Sequence, residues 1–433
     1  MPLTRLDLRG VPAAGLAGQL PRPPSPDSFP TAAVAEILDA VRVDGDDAVR
    51  TLTERFDGVT VDRLQVDADE LDAALAAIDP ALRAALELAY HRITAYHRHE
   101  PPPVGDFHLD GVTVSHLVRP VARAGIYAPG GRARYPSTVL MCAVPAQVAG
   151  VDEVALVAPP GPDGTIATET LAAARIAGIS EVYRVGGAQA IAALAFGTAT
   201  IPPVSVIVGP GNNYVAEAKR QVSGRVGIPS GYAGPSEVVV VADGTVPAGW
   251  AAVDLVVQAE HGPDGLAWLV TWSEPFAADV EADIDALVAA SPRRADLEAT
   301  LAGGGYTVLV DGPEAAIAVA NVVAPEHLEL QVDAPERLLA GVRSAGAVFL
   351  GGYAPASVGD YLAGPNHVLP TARTARFASA LRVDDFRTHI HAVTLGADAL
   401  AALAPQVATL ALAEGLPAHA ESVRRRAPGE GRR

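Results

Sequence analysis

Two adjacent polar residues, Glu326 and His327, interrupt an apolar stretch in the segment VVAPEHLEL, residues 322 to 330. A carboxylate and an imidazole both serve as general acids and bases in enzymes. Neighbouring residues of a regular strand point to opposite faces, but in a loop both side chains can approach one small molecule. The alternative is two polar residues at the end of a strand with no chemical role. The pair is therefore the first candidate for a catalytic site.

A second group of residues has the types that bind a metal ion. Gln258 and His261 are three residues apart at a predicted helix end, a spacing that places both on one helix face. Asp360 lies in a glycine-flanked loop, and His419 opens the last predicted helix. Two imidazoles, a carboxylate and an amide oxygen suit zinc and leave room for a substrate. Spacing alone leaves the metal open, because a histidine near a helix C-terminus also commonly interacts with the helix dipole.

Two glycine-rich turns join a predicted buried strand to a predicted helix, in VSVIVGPGNNYVAEAKR and in VYRVGGAQAIAALAFG. Such a turn directs backbone N–H groups and the positive helix end towards a phosphate. Neither turn has the pattern G-x-G-x-x-G, so two ordinary tight turns are the alternative. The first segment holds Lys219, the only lysine in the chain, and Asn212 and Asn213, two of four asparagines. Retention of these depleted residue types in one segment favours a nucleotide site.

The single cysteine, Cys142, is a candidate nucleophile for aldehyde oxidation. Its neighbours in TVLMCAVPAQVAG are apolar, which is typical of an inert core thiol. One cysteine excludes an intrachain disulfide and is typical of a reducing compartment. The N-terminal segment has no long apolar run, and no stretch reaches the length of a membrane span. We therefore expect a cytoplasmic protein that does not interact with membranes.

The composition narrows the class of protein further. A chain of 433 residues, 49% of them hydrophobic, can bury a large core and suggests two or more domains or lobes. The net charge of −18 argues against a nucleic-acid-binding protein, which normally carries a basic surface. The negative net charge fits a protein that acts on small substrates.

The elements that must position these residues alternate between strand and helix. Residues 30 to 100 carry apolar residues at helical spacing, and strand and helix patterns then alternate from EVALVAPP to NNYVAEAKRQVSG. A second alternating series runs from SEVVVVADG to EAAIAVANVVAP, after the glycine- and proline-rich GIPSGYAGPSE. This order predicts two α/β modules with parallel sheets and crossover helices. After residue 380 the pattern becomes helical again.

Over nearly its whole length the chain resembles the histidinol dehydrogenases. The resemblance rests on six segments that occur in the same order: GPGNNYVAEAKR, AGPSEVVVVAD, QAEHGPD, APEHLEL, GDYLAGPNHVLPT and EGLPAHAESV. It implies oxidation of L-histidinol to L-histidine through the aldehyde, with two NAD molecules used in turn and one zinc ion per subunit.

The resemblance also implies a role for each matching residue. The acid–base pair would be Glu326 and His327. The zinc ligands would be Gln258, His261, Asp360 and His419. The substrate would contact these ligands and His327, together with Ser236, His367 and Glu414. NAD would contact Tyr127, Gln189 and Asn212.

The fold that the resemblance implies is α/β, with two Rossmann-like lobes built on parallel sheets and with N- and C-terminal helical extensions. The extensions would swap between the subunits of a homodimer, so that Glu414 and His419 reach the partner's site. We expect an N-terminal extension over residues 1–27 and a first lobe, carrying most zinc-site and catalytic residues, over 28–126 with 237–380. A second lobe for NAD would span 127–236, and a helical tail 381–433.

The chain departs from the expected pattern at four positions, none of them a proposed ligand: Gly265, Leu266, Ala380 and Thr388. Three alternatives remain open. A paralogue of the same fold would oxidise another small alcohol, although Glu414 and His419 suit the histidinol head group. A non-catalytic metabolite-binding protein would not require the pair at 326 and 327. An aldehyde dehydrogenase would depend on Cys142.

Overall fold

A computed structural model describes residues 3–21, 29–101, 105–130, 134–229, 236–260, 262 and 265–427. The strands are β1 (Thr4–Asp7), β2 (Phe107–Leu109), β3 (Val112–Pro120), β4 (Arg123–Tyr127), β5 (Glu153–Ala158), β6 (Glu181–Arg184), β7 (Val206–Val208), β8 (Glu237–Ala242), β9 (Leu266–Thr271), β10 (Gly305–Leu309), β11 (His327–Gln331), β12 (Ala347–Leu350) and β13 (Arg387–Leu395). The α-helices are α1 (Leu16–Gln19), α2 (Thr31–Asp57), α3 (Ala68–Ala77), α4 (Pro80–Arg98), α5 (Pro136–Ala149), α6 (Thr168–Ile176), α7 (Gly187–Phe196), α8 (Asn213–Val222), α9 (Ala248–Ala259), α10 (Glu274–Ala290), α11 (Arg294–Gly304), α12 (Pro313–Val323), α13 (Pro335–Leu339), α14 (Ala356–Tyr361), α15 (Ala397–Ala413) and α16 (Pro417–Arg424).

The chain divides into two compact units. The first unit comprises Met1–His99 and Ala122–Phe386, and the second comprises Glu100–Val121 and Arg387–Arg433. The first unit contains two sheets, and every strand pairing in them is parallel. The predicted α/β fold with parallel sheets is therefore confirmed.

The larger sheet of the first unit has the strand order β1-β10-β9-β8-β11-β12. Its central strand β8 reads EVVVVA and is buried along its whole length. One face of β8 packs against α9 and α10, and the other packs against α12. Such a continuous apolar run is expected where helices cover both faces of a parallel sheet.

The smaller sheet has the order β6-β5-β4-β7. The chain moves outward from β4 to β6 and then returns to the other side of β4 with β7. This reversal of direction defines a topological switch point between β4 and β7. Ligands of open α/β sheets bind at the carboxyl ends of the strands at such a point.

Helices α2, α3 and α4 pack against the smaller sheet's own helices. Helix α2 contacts α7 and α8, α3 contacts α6, and α4 contacts α5. The apolar side of α2, including Val34, Ile37 and Leu38, joins the same core as Ile191 and Leu194 of α7. This differs from the expectation that residues 28–126 belong with 237–380. Helical periodicity predicted the helices, but it carries no information on which sheet their apolar faces cover.

The N-terminal residues also differ from the expected separate extension over 1–27. Residues Thr4–Asp7 form β1, which pairs with β10 at the edge of the larger sheet. Leu8 and Leu16 are buried in that sheet's core. The part of the extension at 22–28 lies outside the described residues.

The second unit is built on an antiparallel sheet of order β13-β3-β2, followed in the chain by α15 and α16. Strand β13 pairs with β3 over nine residues, from Arg387↔Pro120 to Leu395↔Val112. The expectation of a wholly helical tail after residue 380 is therefore wrong for Arg387–Leu395. Threonine and branched residues are frequent in the β3 segment VTVSHLVRP and in RTHIHAVTL, and such residues favour strands.

None of the helices in the described part of the chain is both long and apolar enough to cross a bilayer.

Candidate active site

The acid–base pair lies at the amino end of β11. Helix α12 ends at Val323, and Ala324 adopts a left-handed conformation (φ 51°) that turns the chain into the strand. Glu326 precedes the strand and His327 is its first residue; they are 7% and 4% exposed. The Nδ1 atom of His327 lies 3.6 Å from Oε2 of Glu326. The two side chains thus converge where the strand begins, which a regular strand interior does not allow.

The carboxylate of Glu326 is held by residues at the start of β8. The backbone N–H of Glu237 donates a 3.0 Å hydrogen bond to its Oε2, and the Ser236 side chain also hydrogen-bonds to it. Ser236, expected near the substrate, is thus brought to the acid–base pair. Burial raises the pKa of Glu326 to about 7, although the charge of His327 and these hydrogen bonds oppose the shift.

Opposing influences act on the pKa of His327. Burial lowers it, but the carboxylates of Glu326 and Asp360 outweigh the burial and raise it to about 9. Oδ1 of Asp360 lies 3.3 Å from Nε2 of the His327 ring. The imidazole therefore has a carboxylate beside each nitrogen, and positive charge on the ring is stabilised from both sides.

Asp360 lies on the short helix α14. Gly359 precedes it, and a Cβ atom at that position would come within 2.5 Å of the Phe349 ring on β12. The ring of Phe349 also lies beside that of His327, with a centroid distance of 5.9 Å. Only glycine permits this close approach of α14 to the sheet. The glycine that flanks Asp360 in the sequence therefore has a packing role.

His367 connects this region to the smaller sheet's helices. Its Nδ1 atom lies 2.9 Å from the backbone oxygen of Asp360, and its Nε2 lies 3.2 Å from Oγ1 of Thr138 at the start of α5. Sequence reasoning identified His367 but not Thr138. No pattern in the sequence links these two residues, which are 229 positions apart.

Glu237 is a further site residue that sequence reasoning missed. Its Oε1 accepts a 3.0 Å hydrogen bond from the backbone N–H of Ala372. Burial and the charge of Glu326 raise its pKa to about 8. A signal was present in the sequence, because Glu237 is the only charged residue of the strand EVVVVA.

Two of the proposed metal ligands lie in the described part of the first unit. Gln258 is in the last turn of α9, is 3% exposed, and its Nε2 has no hydrogen-bond partner within the described residues. The other is Asp360. His261 lies outside the described residues, and the last residue of α9 is Ala259. Within the described residues, no group of three His, Cys, Asp or Glu side chains is arranged to hold a metal ion.

Glu414 and His419 belong to the second unit. Glu414 caps the C-terminus of α15, and His419 lies in α16. Both are exposed within the chain. Their side chains are therefore free of the core of that unit.

The three residues expected at NAD line one cleft of about 1080 Å³. Tyr127 is the last residue of β4, Gln189 lies in the first turn of α7, and Asn212 precedes α8. Their elements meet at the carboxyl edge of the smaller sheet, at its switch point. The Oδ1 atom of Asn212 accepts hydrogen bonds from the N–H groups of Tyr214 (3.0 Å) and Val215 (3.1 Å). Asn212 is therefore the N-cap of α8 as well as a cleft residue.

The retained Lys219 has a structural explanation. It is 2% exposed, and its Nζ donates to the backbone oxygen of Gly209 in the turn before α8. Gly209 has a φ of 103°, and a Cβ there would lie 2.1 Å from the backbone oxygen of Tyr127. Burial lowers the pKa of Lys219 to about 8. The lysine thus holds the glycine turn against the end of β4.

Cys142 does not have the surroundings of a nucleophile. It is completely buried in α5, and burial raises its pKa to about 12. A reactive thiol requires a lowered pKa and access to a substrate. The interpretation of Cys142 as a core residue is supported.

The two candidate sites use opposite edges of their sheets. The cleft with Tyr127 lies at the carboxyl edge, as the rule for open α/β sheets predicts. The pair at Glu326 and His327 lies at the amino edge of the larger sheet, next to the start of β8. The rule alone would have directed attention to the wrong end of β11.

Comparisons with known proteins identify the family of the chain. The sequence model of the histidinol dehydrogenase family matches residues 21–427. A histidinol dehydrogenase of Synechococcus sp. is 50% identical over 398 residues, covering 91% of this chain and 92% of that protein. One from Rhodospirillum rubrum is 51% identical over 394 residues, covering 90% of each. The crystal structure of histidinol dehydrogenase from Elizabethkingia anophelis superimposes with a TM-score of 0.93 at 33% identity and covers 98% of both chains.

The fold and these matches define an NAD-dependent oxidoreductase. The chain belongs to the histidinol dehydrogenase family.

Proposed function

We propose that this protein catalyses the NAD-dependent, four-electron oxidation of L-histidinol to L-histidine through L-histidinal, the last step of histidine biosynthesis. The observation that carries the proposal is the buried pair of Glu326 and His327, with 3.6 Å between Oε2 and Nδ1. Oxidation of an alcohol to an aldehyde requires one base. Oxidation of the aldehyde to a carboxylate also requires that water be activated. Two bases of different chemistry at one carbon match this sequence of steps.

In the first oxidation the neutral form of His327 takes the hydroxyl proton of the substrate, so this step is favoured as pH rises towards the His327 pKa of about 9. Glu326 and Asp360 flank the ring and stabilise the positive charge that it gains. NAD, when bound, accepts two electrons in each of the two oxidations. The overall reaction consumes one water and two NAD for each histidinol.

In the second oxidation Glu326 takes a proton from the water that adds to the aldehyde carbon. A pKa of about 7 suits a general base near neutral pH. The hydrogen bonds from Ser236 and from the backbone of Glu237 orient the carboxylate.

One zinc ion per subunit is part of the proposal, held by Gln258, His261, Asp360 and His419. Gln258 fits this role because its amide is buried and its Nε2 has no hydrogen-bond partner within the described residues. Nitrogen and oxygen donors of this kind suit zinc. Zinc, when bound, orients the imidazole and the amine of the substrate.

The remaining roles follow the same family relationship. Tyr127, Gln189 and Asn212 contact NAD, which their shared cleft supports. Ser236 and His367 contact the substrate, as does Glu414. We propose a homodimer in which Glu414 and His419 enter the partner's site. Their exposure within one chain supports this arrangement.

The yield of NADH per histidinol consumed tests the function. A yield of two supports the four-electron reaction. A yield of one shows a plain alcohol dehydrogenase. A series of other small alcohols, assayed under the same conditions, tests the alternative of a paralogue with a different substrate. Such a paralogue would oxidise one of these alcohols faster than histidinol.

A further inference from the structure

A buried polar cluster lies on the face of β11 that carries His327. Glu329 and Gln331 follow at intervals of two residues, so they share that face, and they are 1% and 2% exposed. Asp254 of α9 completes the cluster, four residues before Gln258 on the same helix. The mechanism above uses none of the three. Glu329 is buried and Asp254 is half-buried, and such desolvation of carboxyl groups is costly unless hydrogen bonds compensate, so the cluster requires an explanation.

The amide of Gln331 joins the two carboxyl groups. Its Nε2 donates to Oδ2 of Asp254 at 2.7 Å and to Oε2 of Glu329 at 2.8 Å. Burial and the charge of Asp254 raise the pKa of Glu329 to about 8, and burial raises that of Asp254. Burial of this pair therefore favours the protonated form of its carboxyl groups. The cluster is thus a rigid unit that holds Glu329 in one orientation.

The other oxygen of Glu329 reaches helix α14. Its Oε1 accepts a 2.9 Å hydrogen bond from the backbone N–H of Ala356, the first residue of that helix. The first N–H groups of a helix have no partner within the helix. Pro355, which precedes Ala356, has no side-chain group that can accept one. Glu329 therefore caps α14 from a neighbouring strand.

The same short helix carries Asp360, about 6 Å further along its axis. Glu329 is the register partner of Phe349 on β12, and Phe349 is the residue against which Gly359 packs. Helix α14 therefore contacts the β11–β12 pair near both of its ends. Its first residue bonds to Glu329, and Gly359 packs against Phe349, the register partner of Glu329. Asp360 then stands with Oδ1 3.3 Å from Nε2 of His327.

We propose that Glu329 is a positioning residue: it fixes the start of α14 so that Asp360 is held at His327 and at the metal. The inference rests on the proposed function, because the metal role of Asp360 belongs to that proposal. Residues behind metal ligands commonly change metal affinity or activity by roughly 10–100-fold when they are substituted.

Four variants of the full-length protein test this inference. Glu329→Leu removes the acceptor at similar size, and Glu329→Gln retains an oxygen for Ala356. Ala356→Pro removes the donor and leaves the carboxyl cluster intact, since proline is tolerated at the first position of a helix. Asp254→Asn is the matched control, because it changes the cluster and leaves the bond to Ala356 in place.

Three properties should respond together. In Glu329→Leu and Ala356→Pro we expect faster amide hydrogen exchange across Ser357–Tyr361 in metal-free protein, since these amides are present in both variants. Zinc affinity, from competition with a chelator, should fall roughly 10–100-fold, with kcat reduced more than KM is raised. Glu329→Gln and Asp254→Asn should remain within about threefold of wild type, well below the loss expected for a lost supporting residue. Ala356→Pro should add no further loss in a Glu329→Leu background, because both substitutions remove the same hydrogen bond between Ala356 and Glu329.

If Ala356→Pro had the zinc affinity and the amide exchange of wild type, the inference would be overturned. This result would be decisive even if Glu329→Leu failed to fold. Additive losses in the double variant would overturn it too. Failure of the proposed function has a different signature. Wild-type protein would then bind no zinc and release no NADH with histidinol, while the exchange of Ser357–Tyr361 would still report whether Glu329 fixes the helix.

Discussion

The backbone N–H of Glu237 donates a 3.0 Å hydrogen bond to Oε2 of Glu326, so the first residue of β8 holds the acid at the start of β11. The side chain of Glu237 is itself buried close enough for the charge of Glu326 to raise its pKa. Glu237 thus orients the carboxylate of Glu326, the proposed acid–base residue, through its backbone, and its side chain adds a second ionisable group. The consequences for stability and for catalysis can be measured separately.

Stability should depend on the ionisation of Glu237. Its pKa is about 8 in the folded protein and about 4.5 in an unfolded chain. Between these values the folded state retains a proton that the unfolded state has lost, so this contribution to stability is complete below 4.5 and is lost as pH rises through 8. Glu237→Gln lacks the group. Its unfolding free energy relative to wild type should rise by on the order of 1 kcal/mol per pH unit in this window.

Denaturant unfolding at several pH values between the two pKa values checks this expectation. A difference between variant and wild type that stays constant with pH would mean that Glu237 ionises normally. Asp333→Asn, at an exposed residue near the other end of the sheet, is a suitable control.

The acid–base pair should separate by reaction step. Glu326→Gln keeps the shape but cannot activate water, so oxidation of supplied histidinal should fall by roughly 10²–10⁴-fold, and more than oxidation of histidinol to the aldehyde. His327→Asn should reduce the first step at least as much. Single-turnover measurements with each substrate distinguish the steps. Equal and small losses of activity in both variants would mean that Glu326 and His327 have no catalytic role and are only polar residues at a strand end.

Metal binding should depend on Asp360. Chelation should abolish activity, and added zinc should restore it. Asp360→Asn should lower bound zinc, because it removes a charged ligand and also the carboxylate 3.3 Å from His327. Metal analysis after gel filtration measures occupancy, with Asp44→Asn as a control at an exposed position of α2. The same test applied to His261→Asn addresses the ligand that lies outside the described residues. Full occupancy in either variant would remove that residue from the site.

Mixed dimers test whether the tail crosses between subunits. If it does, Glu326→Gln and His419→Asn damage opposite chains' contributions to one site. Co-refolding the two inactive variants then gives mixed dimers in which one site carries both changes and the other carries neither. Random pairing yields about half mixed dimers, so activity should recover to roughly a quarter of wild type. A tail that folds back on its own subunit leaves one change in every site, and mixing restores nothing.

Cys142→Ala should leave both oxidation steps unchanged. The thiol is buried and its pKa is raised to about 12, so it cannot act as a nucleophile near neutral pH. We expect a loss of unfolding free energy on the order of 1 kcal/mol from the altered packing. Loss of turnover in a variant that remains folded would support the Cys-dependent aldehyde dehydrogenase instead.

Sequence patterns alone predicted the element types of the parallel sheets and identified the polar residues of the candidate site, but they misassigned Arg387–Leu395 as helical. Alternation of apolar runs and helical periods predicted the parallel sheets, because local hydrophobic pattern reflects the burial of each element. It also identified the glycine turn before α8, where Asn212 supplies the cap that its residue type predicts. The pair at 326 and 327 stood out because two polar side chains interrupt a buried strand pattern.

How the helices and strands pack against one another was seen only in the tertiary structure. Periodicity is a property of single elements, so it did not show that α2 packs against α7, or that Arg387–Leu395 pairs with β3 as a strand. Nor did it show Glu237 beside Glu326, 89 residues later, or Thr138 beside His367. Such contacts depend on strand order and register, which are set by the packing of many apolar faces at once. The amino-edge location of the acid–base pair is a result of that order, and no local pattern encodes it.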